Sequence, residues 1–222
     1  MPRQPGLVPA AKGRIELTAP YNHPDAVRDL RQFSHLWVLF VFHGTQEQGW
    51  KPLVRPPRLG GNRKTGVFAT RSTFRPNPIG MSVVTLDRVV EEGGKLWLEI
   101  SGLDLLDQTP VLDIKPYLPY CDSLADAAAG FASERPEDRV EVLFTPQAQK
   151  QLLLAEKKTP QLGEFICQLL SQDPRPGYRR TSETDSNQYG VRLYNYNITW
   201  QVHDGAFQVT AIDTEISGQN YD

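Results

Sequence analysis

Between residues 14 and 116 the apolar side chains fall in runs of strand length, separated by proline and glycine. Residues 14–18 alternate in polarity. The longest apolar run of the chain, 36–42, has the length of a buried strand and sits inside a strand-like stretch at 35–43. Short β runs follow at 67–70, 81–90, 96–101 and 110–114, and Glu92-Gly93-Gly94 reads as a hairpin turn between two of them. Residues 24–30 read as one helix with Pro24 in its first turn. The 18 prolines among 222 residues exceed the ~5% of average usage, which favours turns over long elements. The 39% of hydrophobic residues suffices for a core. Short strands at near-regular spacing with few helices predict a barrel or a sandwich.

The pattern changes after residue 120. Residues 121–140 are rich in Ala, Ser, Asp and Gly and hold no period, as a linker does. Thr145-Pro146 and Thr159-Pro160 each read as a helix N-cap followed by proline at the first helical position. After the second, Leu162, Phe165, Ile166, Leu169 and Leu170 share one helical face. Pro174 and Pro176 end that helix in a stiff loop, Asp173 to Tyr178. The last 35 residues read as a hairpin. In it Tyr194, Tyr196, Ile198, Trp200 and Val202 alternate with polar residues, Asp204-Gly205 turns the chain, and Phe207, Val209 and Ala211 face them. The chain therefore reads as mainly β, with a small β domain over 1–125 and an α+β domain over 126–222.

Charge and cysteine usage exclude several classes. The net charge of −2 gives no bulk signature of a nucleic-acid binder. The charge is uneven, however: 1–125 is net +3 and 126–222 net −5. No acidic residue occurs between Glu47 and Asp87, while Lys51, Arg55, Arg58, Arg63, Lys64, Arg71 and Arg75 do. Cys121 and Cys167 make neither a disulfide framework nor a metal set. No run approaches the ~20 apolar residues of a membrane span, and no signal peptide opens the chain, so a cytoplasmic location is expected. Gly61 to Gly66 has the first spacing of a phosphate-binding loop but lacks the Lys-Ser/Thr that completes it. No dinucleotide fingerprint and no G-x-S-x-G elbow occur. His23, His35, His43 and His203 lack metal-ligand spacing, so no metal is expected. Asn197-Ile198-Thr199 is read as a chance match to a glycosylation sequon.

Three segments combine polar chemistry with stiff backbone. Gly66-Val-Phe-Ala-Thr-Arg-Ser-Thr-Phe-Arg-Pro-Asn-Pro-Ile-Gly80 sets Arg71 and Arg75 around a turn and locks Asn77 between two prolines. A loop held this way loses little entropy on binding, arginine suits carboxylate or phosphate, and Asn77 suits an adenine-like edge. Gly102-Leu-Asp-Leu-Leu-Asp-Gln-Thr-Pro-Val-Leu-Asp-Ile-Lys-Pro-Tyr-Leu-Pro-Tyr120 carries Asp104, Asp107, Asp113 and Lys115. Asp113 and Lys115 share a strand face by period two, either as a buried structural pair or as reactive groups. Pro2-Arg-Gln-Pro-Gly-Leu7 is a third stiff polar loop.

Together with FSHLWVLFVFH, VRPPRLGGN and DPRPGY, these segments resemble, along nearly the whole chain, the TsaA-like family, whose characterised bacterial member is a tRNA methyltransferase. The resemblance implies a non-Rossmann β-barrel that binds S-adenosylmethionine, forms a homodimer with the donor site near the subunit interface, and transfers the methyl group to N6 of threonylcarbamoyladenosine. That nucleoside lies 3′ of the anticodon in threonine tRNA. By the same resemblance Gln4, Pro5, Gly6, His43, Gly44, Arg71, Met81, Ser101, Gly102, Leu103 and Asp104 are donor-binding, and Asp173, Arg175 and Tyr178 contact tRNA. Family members commonly begin one strand earlier, with an Arg-Ser-Pro turn, which suggests that this sequence starts late. Gln108 stands where many members have Gly, and Gly44 where some have Gln.

For the reaction so implied, a base helps the weakly nucleophilic N6 lose its proton. Asp113 is the candidate, positioned by Lys115 and Tyr117. Arg71 or Arg75 is expected to fork onto the threonyl carboxylate, and Asn77 to read the base or its carbamoyl group. Arg55, Arg58, Arg63 and Lys64 are expected at phosphates, and Tyr178 and Tyr196 stacked on unpaired bases. The competing readings are a non-catalytic RNA-binding module and a methyltransferase of small molecules.

Overall fold

The computed structural model describes residues 2–60, 62–136, 140–175 and 187–214. The chain forms two compact units, 1–135 and 136–222.

The first unit is built on one antiparallel sheet. Its elements are β1 (Lys12–Leu17), β2 (His35–Val41), β3 (Leu53–Val54), β4 (Thr65–Gly66), β5 (Ile79–Glu92), β6 (Lys95–Ser101) and β7 (Val111–Pro116), followed by the short helix α1 (Pro119–Asp122). Five strands pair in the order β1-β6-β5-β2-β7, and β3 pairs with β4 as a separate ribbon. The alternation in β2 buries Leu36, Val38 and Phe40, which join Ile15, Val84, Val89, Leu96, Leu98 and Ile100 in the core. Gly93 and Gly94 have φ of 59° and 76°, the left-handed pair that closes a tight hairpin between β5 and β6.

Closure into a barrel is not found: β1 and β7 are the two edges of an open sheet among the described residues. The stretch between β2 and β5 is spent on three 3-10 turns and the two-residue strands β3 and β4, so no long strand remains there to bridge the edges. Two other expectations are corrected. Residues 67–70 form a 3-10 turn at Val67–Ala69 instead of a strand, because side-chain bonds to its carbonyls replace ladder bonds. The helix expected over 24–30 is two 3-10 pieces, Pro24–Val27 and Leu30–Gln32, broken at Asp29 with φ 64°.

The second unit contains β8 (Val142–Phe144), α2 (Pro146–Ala155), α3 (Leu162–Leu170), β9 (Gln188–Leu193), β10 (Tyr196–His203) and β11 (Ala206–Thr214). Its sheet runs β8-β11-β10-β9, with β8 parallel to β11. The Thr145 hydroxyl caps α2 by accepting from the Ala148 amide at 3.2 Å, worth about 1 kcal/mol. The second expected cap fails: α3 starts after Gln161, at φ 66° with no side-chain cap bond. The apolar face of α3 is buried as its spacing predicts. Trp200 packs between Tyr189, stacked at 4.5 Å, and Phe207 at 4.3 Å. Tyr194 lies in the β9–β10 turn at φ 53°, outside the alternating face. No helix among the described residues is long and apolar enough to cross a membrane.

Gly80 marks the tightest packing in the first unit. A Cβ there would lie 2.4 Å from two ring atoms of the buried Phe40 and 2.9 Å from Phe42. Gly80→Ala is expected to cost about 1–3 kcal/mol of overpacking, read as a lower midpoint in urea melts. An unchanged midpoint would show that the two rings move freely.

Candidate functional site

Four stretches of the first unit meet around the turn that follows β6. Gly102 has φ 71°, a conformation that favours glycine. Its amide donates to the Ala11 carbonyl at 2.8 Å, and its carbonyl accepts from the Gly6 amide at 2.8 Å. The N-terminal loop is thereby sewn to the end of β6. The Arg71 Nη1 donates to Gln4 Oε1 at 2.8 Å, which joins that loop to the 66–80 segment. Two residues past Gly102, Asp104 Oδ1 accepts from the Ser82 hydroxyl at 2.6 Å. Burial pushes the Asp104 carboxyl above the usual carboxylate range, while the Ser82 hydrogen bond and the nearby Arg71 guanidinium act in the opposite sense. A Cβ at Gly44 would meet Leu106 at 3.5 Å, so the 3-10 turn His43–Gln48 lies against the 102–108 loop. The Phe42 amide donates to the Pro78 carbonyl at 2.7 Å, tying the end of β2 to the Asn77 turn.

Of the expected donor-binding residues, this arrangement gathers Gln4, Pro5, Gly6, His43, Gly44, Arg71, Gly102 and Asp104. Leu103 packs into the core, its Cδ2 3.0 Å from where a Cβ of Gly13 would sit. The Ser101 hydroxyl donates to Asp87 at 3.0 Å. Met81 lies on the other face of β5: it pairs with Leu39, which pairs with Asp113, so the three share a row across β5, β2 and β7. Gln108 has φ 60°, in the left-handed region.

The expected catalytic group divides. Asp113 and Lys115 are an exposed pair at 3.8 Å on edge strand β7, which corrects the buried alternative. Tyr117 packs against Trp37, ring centroids 5.8 Å apart, instead of against Asp113. The Trp37 indole donates to Asp122 at 2.8 Å. Asn77 is exposed in its turn.

Among the expected tRNA contacts, Arg55, Arg58, Arg63 and Lys64 are exposed, and Arg58 donates to the Glu134 carbonyl. Arg75 is committed locally: its Nη1 donates to the carbonyls of Thr70 at 2.7 Å and Val67 at 3.4 Å. Asp173 and Arg175 are buried against each other, with Nη2 to Oδ2 at 2.8 Å. Arg175 also lies over the Phe207 ring at 4.9 Å. That pair stiffens the second unit and is not presented to a polyanion. Tyr196 is 3% exposed, and its hydroxyl donates to the Ala155 carbonyl at 3.4 Å. Its ring is not open to a stacking base. Tyr178 lies outside the described residues. The sequence reading missed Ser82, a buried polar residue. Its signal was its inward register between Gly80 and Val84 in β5. Among the described residues no group of three or more His, Cys, Asp or Glu comes together as a metal site.

Residues 1–123 match the model of the tRNA-methyltransferase O N-terminal domain, and residues 137–215 match that of the TrmO C-terminal domain. The chain is 56% identical over 213 residues to the tRNA (adenine(37)-N6)-methyltransferase of Escherichia coli K12, covering 96% of this chain and 90% of that one. It is 49% identical over 201 residues to a Pseudomonas aeruginosa PAO1 protein named "Putative S-adenosylmethionine-dependent methyltransferase RcsF", covering 90% and 84%. The crystal structure of TrmO from Pseudomonas aeruginosa superposes with a TM-score of 0.75 at 42% identity, over 96% of this chain and 88% of that one. Since the two family models together span nearly the whole sequence and the likeness extends to a solved fold, the chain belongs to the tRNA-methyltransferase O family.

Proposed function

We propose that this chain is an S-adenosylmethionine-dependent methyltransferase that modifies N6 of adenosine 37 of tRNA. The observation that carries the reaction is the 56% identity, over almost the full length, to an enzyme named for it. In our reading the acceptor is threonylcarbamoyladenosine 37 of threonine tRNA, in the anticodon loop, and the reaction takes place in the cytoplasm. The first unit binds the donor and the second contributes to tRNA binding.

The site chemistry supports this donor. S-adenosylmethionine carries an ammonium, a sulfonium and a carboxylate. The cluster offers the half-buried Asp104 carboxyl to positive groups and the exposed Arg71 guanidinium to a negative one. The bonds among Gly6, Gly102, Gln4 and Arg71 hold this frame preorganised, which lowers the entropy lost on binding. When bound, the donor supplies an electrophilic methyl group, and alignment with N6 accounts for most of the required acceleration. Asp113 accepts the proton lost from N6, with the Lys115 ammonium 3.8 Å away. Arg71 uses Nη1 on Gln4 and keeps its remaining donors for the carboxylate of the methyl donor. Asn77, held at the mouth of its turn, reads the base. Arg55, Arg63 and Lys64 meet phosphates. Met81 and Asp113 share the sheet face opposite to that of Ser82, whose hydroxyl meets Asp104, and in our reading a second copy completes a site that uses both faces. A homodimer is therefore part of this proposal.

The reaction is tested by incubating the protein with tRNA from cells lacking this activity and methyl-deuterated S-adenosylmethionine, then digesting to nucleosides for mass spectrometry. A three-deuterium methyl on threonylcarbamoyladenosine is expected. Donor binding without label in tRNA would overturn the acceptor assignment.

Asp104 gives a test with a defined pH sign. Its folded pKa is raised, so its contribution to stability is fully present below the unfolded carboxylate value of about 4 and is lost as pH rises through the folded value. Asp104→Asn keeps the acceptor for Ser82 and removes the buried charge. It is expected to melt above wild type at pH 8, with the difference vanishing below pH 4, and to bind the donor about tenfold more weakly by calorimetry. Wild-type donor affinity in this variant would remove Asp104 from the site.

A further inference from the structure

We infer that Phe68 is a stacking platform for an unpaired anticodon-loop base of the substrate tRNA. The inference rests on the tRNA reading above and adds to it a residue that the sequence did not single out. Phe68 is 74% exposed, although it lies in a turn that is bonded from several sides. Val67, its neighbour, is 2% exposed and anchors the turn. The Val67 amide donates to the Pro52 carbonyl at 3.0 Å. The Val67 carbonyl accepts from the Thr70 hydroxyl at 2.7 Å and from Arg75 at 3.4 Å. The Arg75 guanidinium also lies 5.7 Å from the Phe68 ring centroid. A large apolar ring is therefore held out to solvent on a fixed backbone, backed by a cation.

The surroundings select the occupant. The ring stands in the acid-free stretch between Glu47 and Asp87, with seven Lys and Arg residues. Trp50, 57% exposed, and Lys51, over the Phe74 ring at 4.0 Å, belong to the same ribbon region. An acidic chain of phosphates complements that charge, and the π-face of an unpaired base complements the ring. Three residues on, Arg71 is bonded to Gln4 in the donor cluster, so a base on Phe68 lies beside the reacting nucleotide. Arg75 thereby gains a role that replaces the carboxylate contact expected of it: it positions the platform.

The test uses the full chain, tRNA carrying threonylcarbamoyladenosine 37 for kinetics, and an anticodon stem-loop with 2-aminopurine at each loop position other than 37 in turn for fluorescence. Phe68→Ala is expected to raise KM for tRNA about tenfold, to leave donor affinity and melting temperature at wild-type values, and to abolish the fluorescence quenching at one loop position. Phe68→Trp is expected to retain both KM and quenching, and Phe68→Leu to behave as Phe68→Ala. A wild-type KM in Phe68→Ala or Phe68→Leu overturns the platform while the methyltransferase reading stands. A loss of donor binding in Phe68→Ala also overturns it, because the ring would then act through the donor site. A wild-type protein that labels no tRNA overturns the proposed function and the platform together.

Discussion

The Gly102 turn holds the first unit's chemistry in one place. Its amide and its carbonyl are both bonded, to Ala11 and from Gly6, and its φ of 71° suits glycine. These two bonds, with the burial of Val8 and Ala11, fix the N-terminal loop and set Gln4 where Arg71 reaches it. With them, Asp104 follows two residues later and reaches Ser82 in β5. A single left-handed residue thus sets the relative placement of an anionic and a cationic group that are otherwise far apart in sequence. That is economical preorganisation, because backbone bonds lose less entropy than long side chains when a ligand arrives.

Much of the sheet was legible in the residues. The alternation at 35–43 located β2, the glycine pair located the β5–β6 hairpin, and Thr145-Pro146 located the start of α2. These are local signals, settled by side-chain period and turn chemistry. The errors have a common physical origin in long-range or backbone-mediated contacts. The 67–70 turn looked like a strand because Val, Phe and Thr favour strands. Bonds from the Thr70 and Arg75 side chains to its carbonyls decided otherwise. The barrel could not be rejected from sequence, since closure depends on which edges pair. Arg75, Arg175 and Tyr196 looked available because charge and aromaticity are visible in a sequence, whereas burial and local partners are not.

The charge distribution reconciles a net negative protein with a polyanionic substrate. Local potential matters at contact distances, since salt screens charges beyond about 10 Å at 0.1 M. The acid-free stretch concentrates positive side chains in one part of the first unit, and Arg55, Arg63 and Lys64 in it are exposed. Its arginines do different work. Arg71 stands in the cluster around Gly102, Arg75 is spent on backbone and on the Phe68 ring, and Arg55, Arg63 and Lys64 remain exposed. In the second unit, by contrast, the Arg175 charge is neutralised internally by Asp173. A sequence motif rich in arginine is thus not one functional unit but several, sorted by burial.

The central claim is that the donor occupies the cluster assembled around Gly102. The most direct measurement is a crystal structure of the full chain bound to S-adenosylhomocysteine, the product of methyl transfer. The account predicts density in contact with Gln4 or Gly6, with Gly102 or Asp104, and with Arg71. Density bound elsewhere, with these residues unliganded, would contradict it.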